Sequence, residues 1–280
     1  MRDAIVIGNG VVGASIAGMF RLQGRDTLVL DSHRPLSGTG PCGGSVKPSP
    51  LTGLPKDEEK PMLDTLDTLF GLTKETFQIH PSGDILKRDV WRIGMDRVYG
   101  SPHEEVDDSW IRERTGFPTV HYIKHGIEIM ETCRLLVVAA GMGTMRLIPE
   151  IQLTAKHGVS FRFSGQVEHP FVQTWAPYKQ VTVHNITPTE IWAADGSALK
   201  PENWTDERTI QSKLRIQAAM GRTDGPTQIR EGLRSFDLSG RKPCLLAQVN
   251  ERIWVAVGAG KFGCIAAGWA ANEMSHIGAQ

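Results

Sequence analysis

The run Ala4-Ile5-Val6-Ile7, followed at once by Gly8-Asn9-Gly10-Val11-Val12-Gly13, constrains this chain more than any other feature. The short β-branched run reads as a strand, the glycines as a tight turn, and Ala14 to Gln23, stopped at Gly24, as a helix. Thr27 to Leu30 reads as a second strand that delivers Asp31 and Ser32 at its end. The pattern is β-α-β. In Gly8-x-Gly10-x-x-Gly13 the first glycine permits the turn, the second lets a pyrophosphate approach the backbone, and the third lets helix and strand pack closely. The helix N-terminus adds amide donors and its dipole. Asp31 stands where a carboxylate can accept from ribose hydroxyls. Glycine spacing alone is a weak signal; with strand, helix and acid in register it reads as a dinucleotide-binding unit rather than a glycine-rich surface turn.

Composition narrows what surrounds this unit. Thirty-one Lys plus Arg against thirty-one Asp plus Glu leave no net charge to collect nucleic acid, and no nucleic-acid motif is present. The four cysteines, Cys42, Cys133, Cys244 and Cys264, form no CxxC pair and indicate neither a structural zinc nor a disulfide framework. No signal-peptide pattern precedes the first strand, and the apolar stretch from Ile253 to Ala271 is broken by Lys261 and glycines, against a membrane span. A cytoplasmic protein is expected.

After Asp31 the chain does not continue β-α-β. A loop with Gly43-Gly44 follows, then a helix opened by Asp57, Glu58 and Pro61, which is read as leaving the first unit. Residues 73–120 carry no legible pattern, and Glu104, Glu105, Asp107 and Asp108 read as solvated surface. Arg134 to Gly141 is an apolar run ended by glycine, the look of a strand buried on both faces of a parallel sheet. Alternation then takes over at Val159, Phe161 and Phe163, at Val181 and Val183, at Ile191 and Ala193, and at Leu214, Ile216 and Ala218, which predicts an antiparallel second sheet. Cys244–Val249 and Ile253–Val257 read as a hairpin, and Gly258 to Gly263 leads into a small-residue helix.

These blocks together, the N-terminal motif, Gly43-Gly44, Leu136-Val137-Val138-Ala139-Ala140-Gly141, and Val255-Ala256-Val257-Gly258 before a helix, resemble the D-amino acid oxidase family of FAD-dependent oxidoreductases, which includes glycine oxidase and sarcosine oxidase. The resemblance implies an α/β fold: a Rossmann-like FAD-binding domain interleaved with an α+β substrate domain built on an antiparallel sheet. The expected FAD-binding domain comprises residues 1–55, 122–150 and 240–280, and the substrate domain 56–121 and 151–239. FAD is the implied cofactor, with Gly8, Gly10, Val11, Val12 and Gly13 at the pyrophosphate, Asp31 and Ser32 at the ribose, and Gly43, Gly44, Ala140, Gly141, Gly260 and Gly263 near the flavin. The implied reaction oxidises a C–N bond of an amino acid or amine to an imine, by hydride transfer to the flavin.

The family's Gly-x-Arg-Pro segment, whose arginine holds the substrate carboxylate, is matched here to Gly240-Arg241-Lys242-Pro243, with lysine in the arginine slot. Lys242 and Lys261 are therefore the expected catalytic cations, set against the ordinary reading of both as exposed lysines. The chain is short for a complete oxidase of this family, which raises the alternative of a flavin-bearing subunit completed by a protein partner. A flavin hydroxylase using reduced nicotinamide is a third reading, unsupported by any second dinucleotide motif. Cys42 and Cys244 are the thiols expected nearest a flavin and read more simply as small buried hydrophobes. His121 and His125 have helical metal-pair spacing but lie in a strand-like context, so no metal is expected.

Overall fold

The computed structural model describes residues 1–32, 43–46, 56–80, 86–176, 179–239 and 243–277. In chain order they form β1 (Arg2–Ile7), α1 (Val11–Leu22), β2 (Thr27–Asp31), β3 (Ser45–Val46), α2 (Lys56–Phe70), β4 (Leu72–His80), β5 (Leu86–Ile93), α3 (Met95–Tyr99), β6 (Glu104–Glu105), β7 (Asp108–Glu113) and β8 (Thr119–Lys124). There follow β9 (Ile127–Val138), α4 (Thr144–Leu147), β10 (Leu153–Ser164), β11 (Phe171–Ala176), β12 (Lys179–Thr187), β13 (Glu190–Ala194), α5 (Asp206–Met220), β14 (Gln228–Asp237), β15 (Leu245–Asn250), β16 (Ile253–Val257) and α6 (Gly263–Ser275).

Among the described residues the strands make two eight-stranded sheets. The first runs β15-β16-β9-β1-β2-β6, with the β7-β8 hairpin attached through β9. Its strands β16, β9, β1, β2 and β6 are parallel. Ala4 and Val6 of β1 pack with Ile16, Ala17 and Phe20 of α1 and Ala266 and Ala270 of α6. Ile5 and Ile7 pack instead with Val120 and Tyr122 of β8 and with Leu147 and Ile148. Both faces are covered from Ala4 to Ile7 of β1 and at the end of β9, so these positions must be apolar, hence the unbroken hydrophobic runs. α6 tolerates close neighbours because it is built of small residues: a Cβ at Gly268 would stand 2.7 Å from Met62 of α2. Helix α2, which the sequence reading sent to the second unit, therefore lies against α1 and α6.

The second sheet runs β14-β10-β13-β12-β11-β4-β5-β3 and is antiparallel except for the β4–β11 pair. Val159, Phe161, Phe163, Val181, Val183, Ile191 and Ala193 line one face, as their alternation requires, and Ile216 of α5 covers it. The expected strand over Leu214, Ile216 and Ala218 is corrected to helix α5. Asp206 and Glu207 in its first turn favour the helix dipole, and Gly221 at φ +64° closes it. A polar helix that buries chiefly Ser212 and Ile216 leaves only a faint 3.6-residue signal, which the chance alternation obscured. Among the described residues no helix is long and apolar enough to cross a membrane.

Candidate cofactor and substrate site

The parallel strands β1, β2, β9 and β16 all end at one edge of the first sheet, and the glycine elements that follow β1, β9 and β16 leave from that edge. From β1 the chain moves to β2 on one side and later returns through β9 on the other, so Gly8 sits at a topological switch point, where ligands of open parallel sheets bind. The glycines there are required by contact. Gly8 has φ +105°, and a Cβ on it would stand 2.5 Å from the Ala139 carbonyl oxygen. A Cβ on Gly13 would lie 1.9 Å from the Gly8 carbonyl oxygen, which is the close helix–strand approach expected of the third glycine. Gly10, in extended conformation, precedes α1, and its carbonyl accepts from Ala14 N–H at 2.9 Å.

Two helix N-termini converge beside this turn. The Cβ position of Gly263, first residue of α6, is 3.7 Å from Val11 Cγ1, at the start of α1. Neither helix carries an acidic residue in its first turn, so both positive dipole ends favour an anion beside this turn. Asp31 ends β2 next to β1, half-buried, followed by half-buried Ser32. Asn9, inside the glycine turn, is buried; its Nδ2 lies 2.9 Å from His103 Nδ1, and its Oδ1 has no hydrogen-bond partner.

The remaining glycine elements tie the two sheets together. Gly43 lies on a stacked His184–Trp192 pair of the second sheet, a Cβ there falling 2.7 Å from His184 Nε2. Gly44, at φ +73°, accepts from Ile93 N–H. Ala140 packs beside Gly8, and Gly141, at φ +56°, has open space where a side chain would be. Gly260, at φ +54°, is pressed on Phe236 of β14, and Gly258 on Asp237. The backbone of Lys261 lies in the single turn 260–262 that precedes α6. Lys242 and Cys42 lie outside the described residues. Cys244 is buried, and burial pushes its thiol up to about 12, the behaviour of a packed hydrophobe.

The face of the second sheet opposite α5 carries residues that the sequence reading passed over. Cross-strand register puts His184, Trp192, Ser160, Arg162, Gln228 and Arg230 on it, continuing along β14 to Gly232 and Arg234. Gly232-Leu233-Arg234 repeats the Gly-x-Arg spacing already matched at 240–242, and the Arg234 guanidinium lies over Gly158. That spacing was the available signal. Nothing local marked Arg162, a charged residue inside an apolar alternation. His121 stands in β8 with Nδ1 2.6 Å from Glu128, and His125 at φ +52° in the following turn.

No family model and no curated protein matches this chain. Solved structures do. Glycine oxidase from Bacillus cereus is similar over 98% of this chain and 94% of its own, at 12% identity and a TM-score of 0.68. Iminodiacetate oxidase from Chelativorans sp. BNC1 is similar over 98% of this chain and 94% of its own, at 13% identity and a TM-score of 0.66. For L-proline dehydrogenase from P. horikoshii the values are 98%, 92%, 10% and 0.66. At these identities the likeness is one of fold, and it agrees with what the sequence blocks resembled: the chain has the fold of the D-amino acid oxidase family of FAD-dependent oxidoreductases.

Proposed function

We propose that this protein is an FAD-dependent oxidoreductase that oxidises a C–N bond of an amino acid or amine to an imine. The observation that carries the reading is the meeting of two acid-free helix N-termini at a glycine turn whose Gly8 and Gly13 have no room for a Cβ. A cradle that admits only backbone amides beside two positive dipole ends suits a pyrophosphate. In this reading Gly8, Gly10, Val11, Val12 and Gly13 hold the pyrophosphate and Asp31 the ribose, with Ser32 beside it. Gly43, Gly44, Ala140, Gly141, Gly260 and Gly263 border the flavin. The proposed FAD-binding unit, 1–55, 122–150 and 240–280, is joined by α2 and by β6 to β8 and gives up β3 to the second sheet, which bears the substrate. When bound, FAD supplies the two-electron acceptor; the chain's task is to bind the amine, orient it and exclude water. The substrates named for glycine oxidase, iminodiacetate oxidase and proline dehydrogenase support an amine or amino acid.

Purified protein is expected to carry, or to take up, FAD with its visible absorbance, and that absorbance is expected to bleach anaerobically with members of an amine and amino acid panel. Protein without flavin uptake removes the cofactor assignment; bound flavin that no member reduces removes the reaction. Lys261, and Lys242 with it, is proposed to hold charge near the reacting centre. Lys261→Met keeps the stem and deletes the charge, and is expected to retain FAD while slowing reduction or reoxidation about tenfold, or about 1.4 kcal/mol of transition-state stabilisation. Unchanged rates of both half-reactions, followed by stopped flow, would make Lys261 an ordinary loop lysine.

A further inference from the structure

Asn9 carries the one polar side chain of the Gly8–Gly13 turn, and its surroundings decide which way its amide faces. It is 7% exposed, between Gly8 and Gly10. His103 Nδ1 stands 2.9 Å from Asn9 Nδ2 and 2.8 Å from the Ser101 carbonyl oxygen, and Asn9 Nδ2 is 3.5 Å from that same oxygen. The segment that brings these groups is itself fixed. Gly100 N–H donates to the Asp96 carbonyl at 2.8 Å and the Ser101 hydroxyl to the Arg97 carbonyl at 3.0 Å, while Glu104, next after His103, pairs with Leu30 of β2.

A carbonyl oxygen can only accept. Its 2.8 Å contact with the ring therefore requires a proton on His103 Nδ1, whether the imidazole is neutral or charged. With Nδ1 a donor, an amide nitrogen 2.9 Å away sets donor against donor. Half a turn of the Asn9 amide exchanges Oδ1 and Nδ2 and removes the conflict, because Oδ1 then shares the Nδ1 proton with the Ser101 carbonyl in a three-centre bond. The same half-turn changes the other end of the group, which is buried and as an oxygen has no hydrogen-bond partner. It becomes a nitrogen with protons to give. A buried donor left unanswered is costly, so this one calls for an acceptor. The free amides at the starts of α1 and α6, which meet at this turn, are donors as well, and an anion answers all of them.

We propose that Asn9 is a side-chain donor to the pyrophosphate of the cofactor, held in that orientation by His103 and the Ser101 carbonyl. The proposal rests on the flavoenzyme reading above and adds to it a contact that the glycine spacing does not specify, since residue 9 is the unassigned position of Gly8-x-Gly10. An amide hydrogen bond to a charged phosphate oxygen is stronger than one between neutral groups, and burial spares it competition from water. Asn9 binds the cofactor and His103 is a positioning residue; neither takes part in the oxidation.

Calorimetric titration of the full-length protein, stripped of any flavin it carries, with FAD, ADP and adenosine as separate probes tests the contact without turnover. Asn9→Asp replaces the donor by an acceptor of the same outline and is expected to weaken FAD and ADP about a hundredfold, Asn9→Ala about tenfold, and adenosine far less in both. If Asn9 instead accepts from the ligand through Oδ1, Asn9→Asp binds at least as well as Asn9→Ala, and that order overturns the proposal. His103→Ala is expected to lose affinity as Asn9→Ala does, and His103→Asn, whose amide nitrogen can stand where Nδ1 does, to restore it. His169→Ala, at an exposed position between β10 and β11, is expected to change nothing. Should Asn9→Asp not fold, the His103 pair decides, and parental affinity in His103→Ala overturns the proposal. Melting without ligand separates folding from binding: an Asn9→Asp protein that melts lower yet binds FAD as the parent does gives the amide to a protein carbonyl and overturns the proposal. Equal losses for ADP and adenosine place the contact on the ribose and overturn the phosphate assignment. A parent protein that binds neither FAD nor ADP defeats the flavoenzyme reading, whereas FAD binding indifferent to Asn9 defeats this contact alone.

Discussion

Gly13→Ala is expected to leave a protein that neither takes up FAD nor keeps its parent stability. The added Cβ would stand 1.9 Å from the Gly8 carbonyl oxygen, 3.0 Å from the Gly8 carbonyl carbon and 3.3 Å from Ala139 Cβ. Two of these three atoms are backbone, so no side chain can swing aside. Relief requires α1 to lift from β1, and the peptide it would push, that of Gly8, is part of the cradle itself. Overpacking against a fixed backbone costs about 3 kcal/mol at such a contact. At roughly 2–4 °C per kcal/mol for a chain of this size, the melting temperature should fall by roughly 6–12 °C. Gly225→Ala is the matched control, because nothing lies within 4 Å of its Cβ position and its φ is not in the left-handed range. Differential scanning fluorimetry and the flavin absorbance of the two variants read the result. A Gly13→Ala protein with parental melting and parental FAD content would show that helix and strand do not approach as described.

The second large effect concerns how α5 is fastened to the second sheet. Asp195, 1% exposed in the turn after β13, accepts from Arg215 Nε at 2.8 Å, from Ser197 N–H at 2.9 Å and from the Ser197 hydroxyl at 2.8 Å. Burial by itself would raise the Asp195 carboxyl, but the Ser197 amide and the Arg215 guanidinium outweigh it and hold the group below the usual carboxylate range. A carboxylate depressed in the folded state contributes stability that is present above its unfolded value, about 3.9, and is lost as pH falls through the folded one. Arg215→Met reverses this sign. The stranded carboxylate should cost about 3–5 kcal/mol at pH 7. Burial then raises its folded value, so the folded state binds the proton more readily and part of the loss is regained on acidification towards pH 5. Urea unfolding of parent and variant at both values is the measurement. A deficit that is small, or that grows on acidification, would mean that Asp195 is not held by Arg215.

The first unit was legible in the sequence because its requirements are local. A strand buried on both faces has to be apolar throughout, as in Ile5-Val6-Ile7 and Leu136-Val137-Val138, and a turn that no Cβ can enter has to be glycine, as at Gly8 and Gly13. The hairpin β15–β16 and the glycine run before α6 were readable on the same grounds. Strands β4 and β5 were not. Lys74, Glu75, Asp89 and Arg92 pair across them in ion pairs, and a strand stabilised by cross-strand charges loses the apolar alternation by which strands are recognised. α5 was misread for the converse reason, since a mostly solvated helix can show a chance two-residue period.

The sequence by itself determined the dinucleotide turn, the return of the chain to its first sheet and the existence of a second, alternating sheet. Only the tertiary structure decided what the polar side of that alternation is for. In Val159-Ser160-Phe161-Arg162-Phe163 the apolar residues pack towards α5, and by period alone Ser160 and Arg162 belong to a solvated face. They are buried instead: β14 with Arg230 pairs on one side and Trp192 stands on the other, Gly43 lying on Trp192 and Tyr99 under Arg230. Period tells which side of a sheet a residue takes; whether that side meets water or another layer depends on segments distant in the chain, and it is this that leaves Arg162 buried where the alternation predicts an exposed residue.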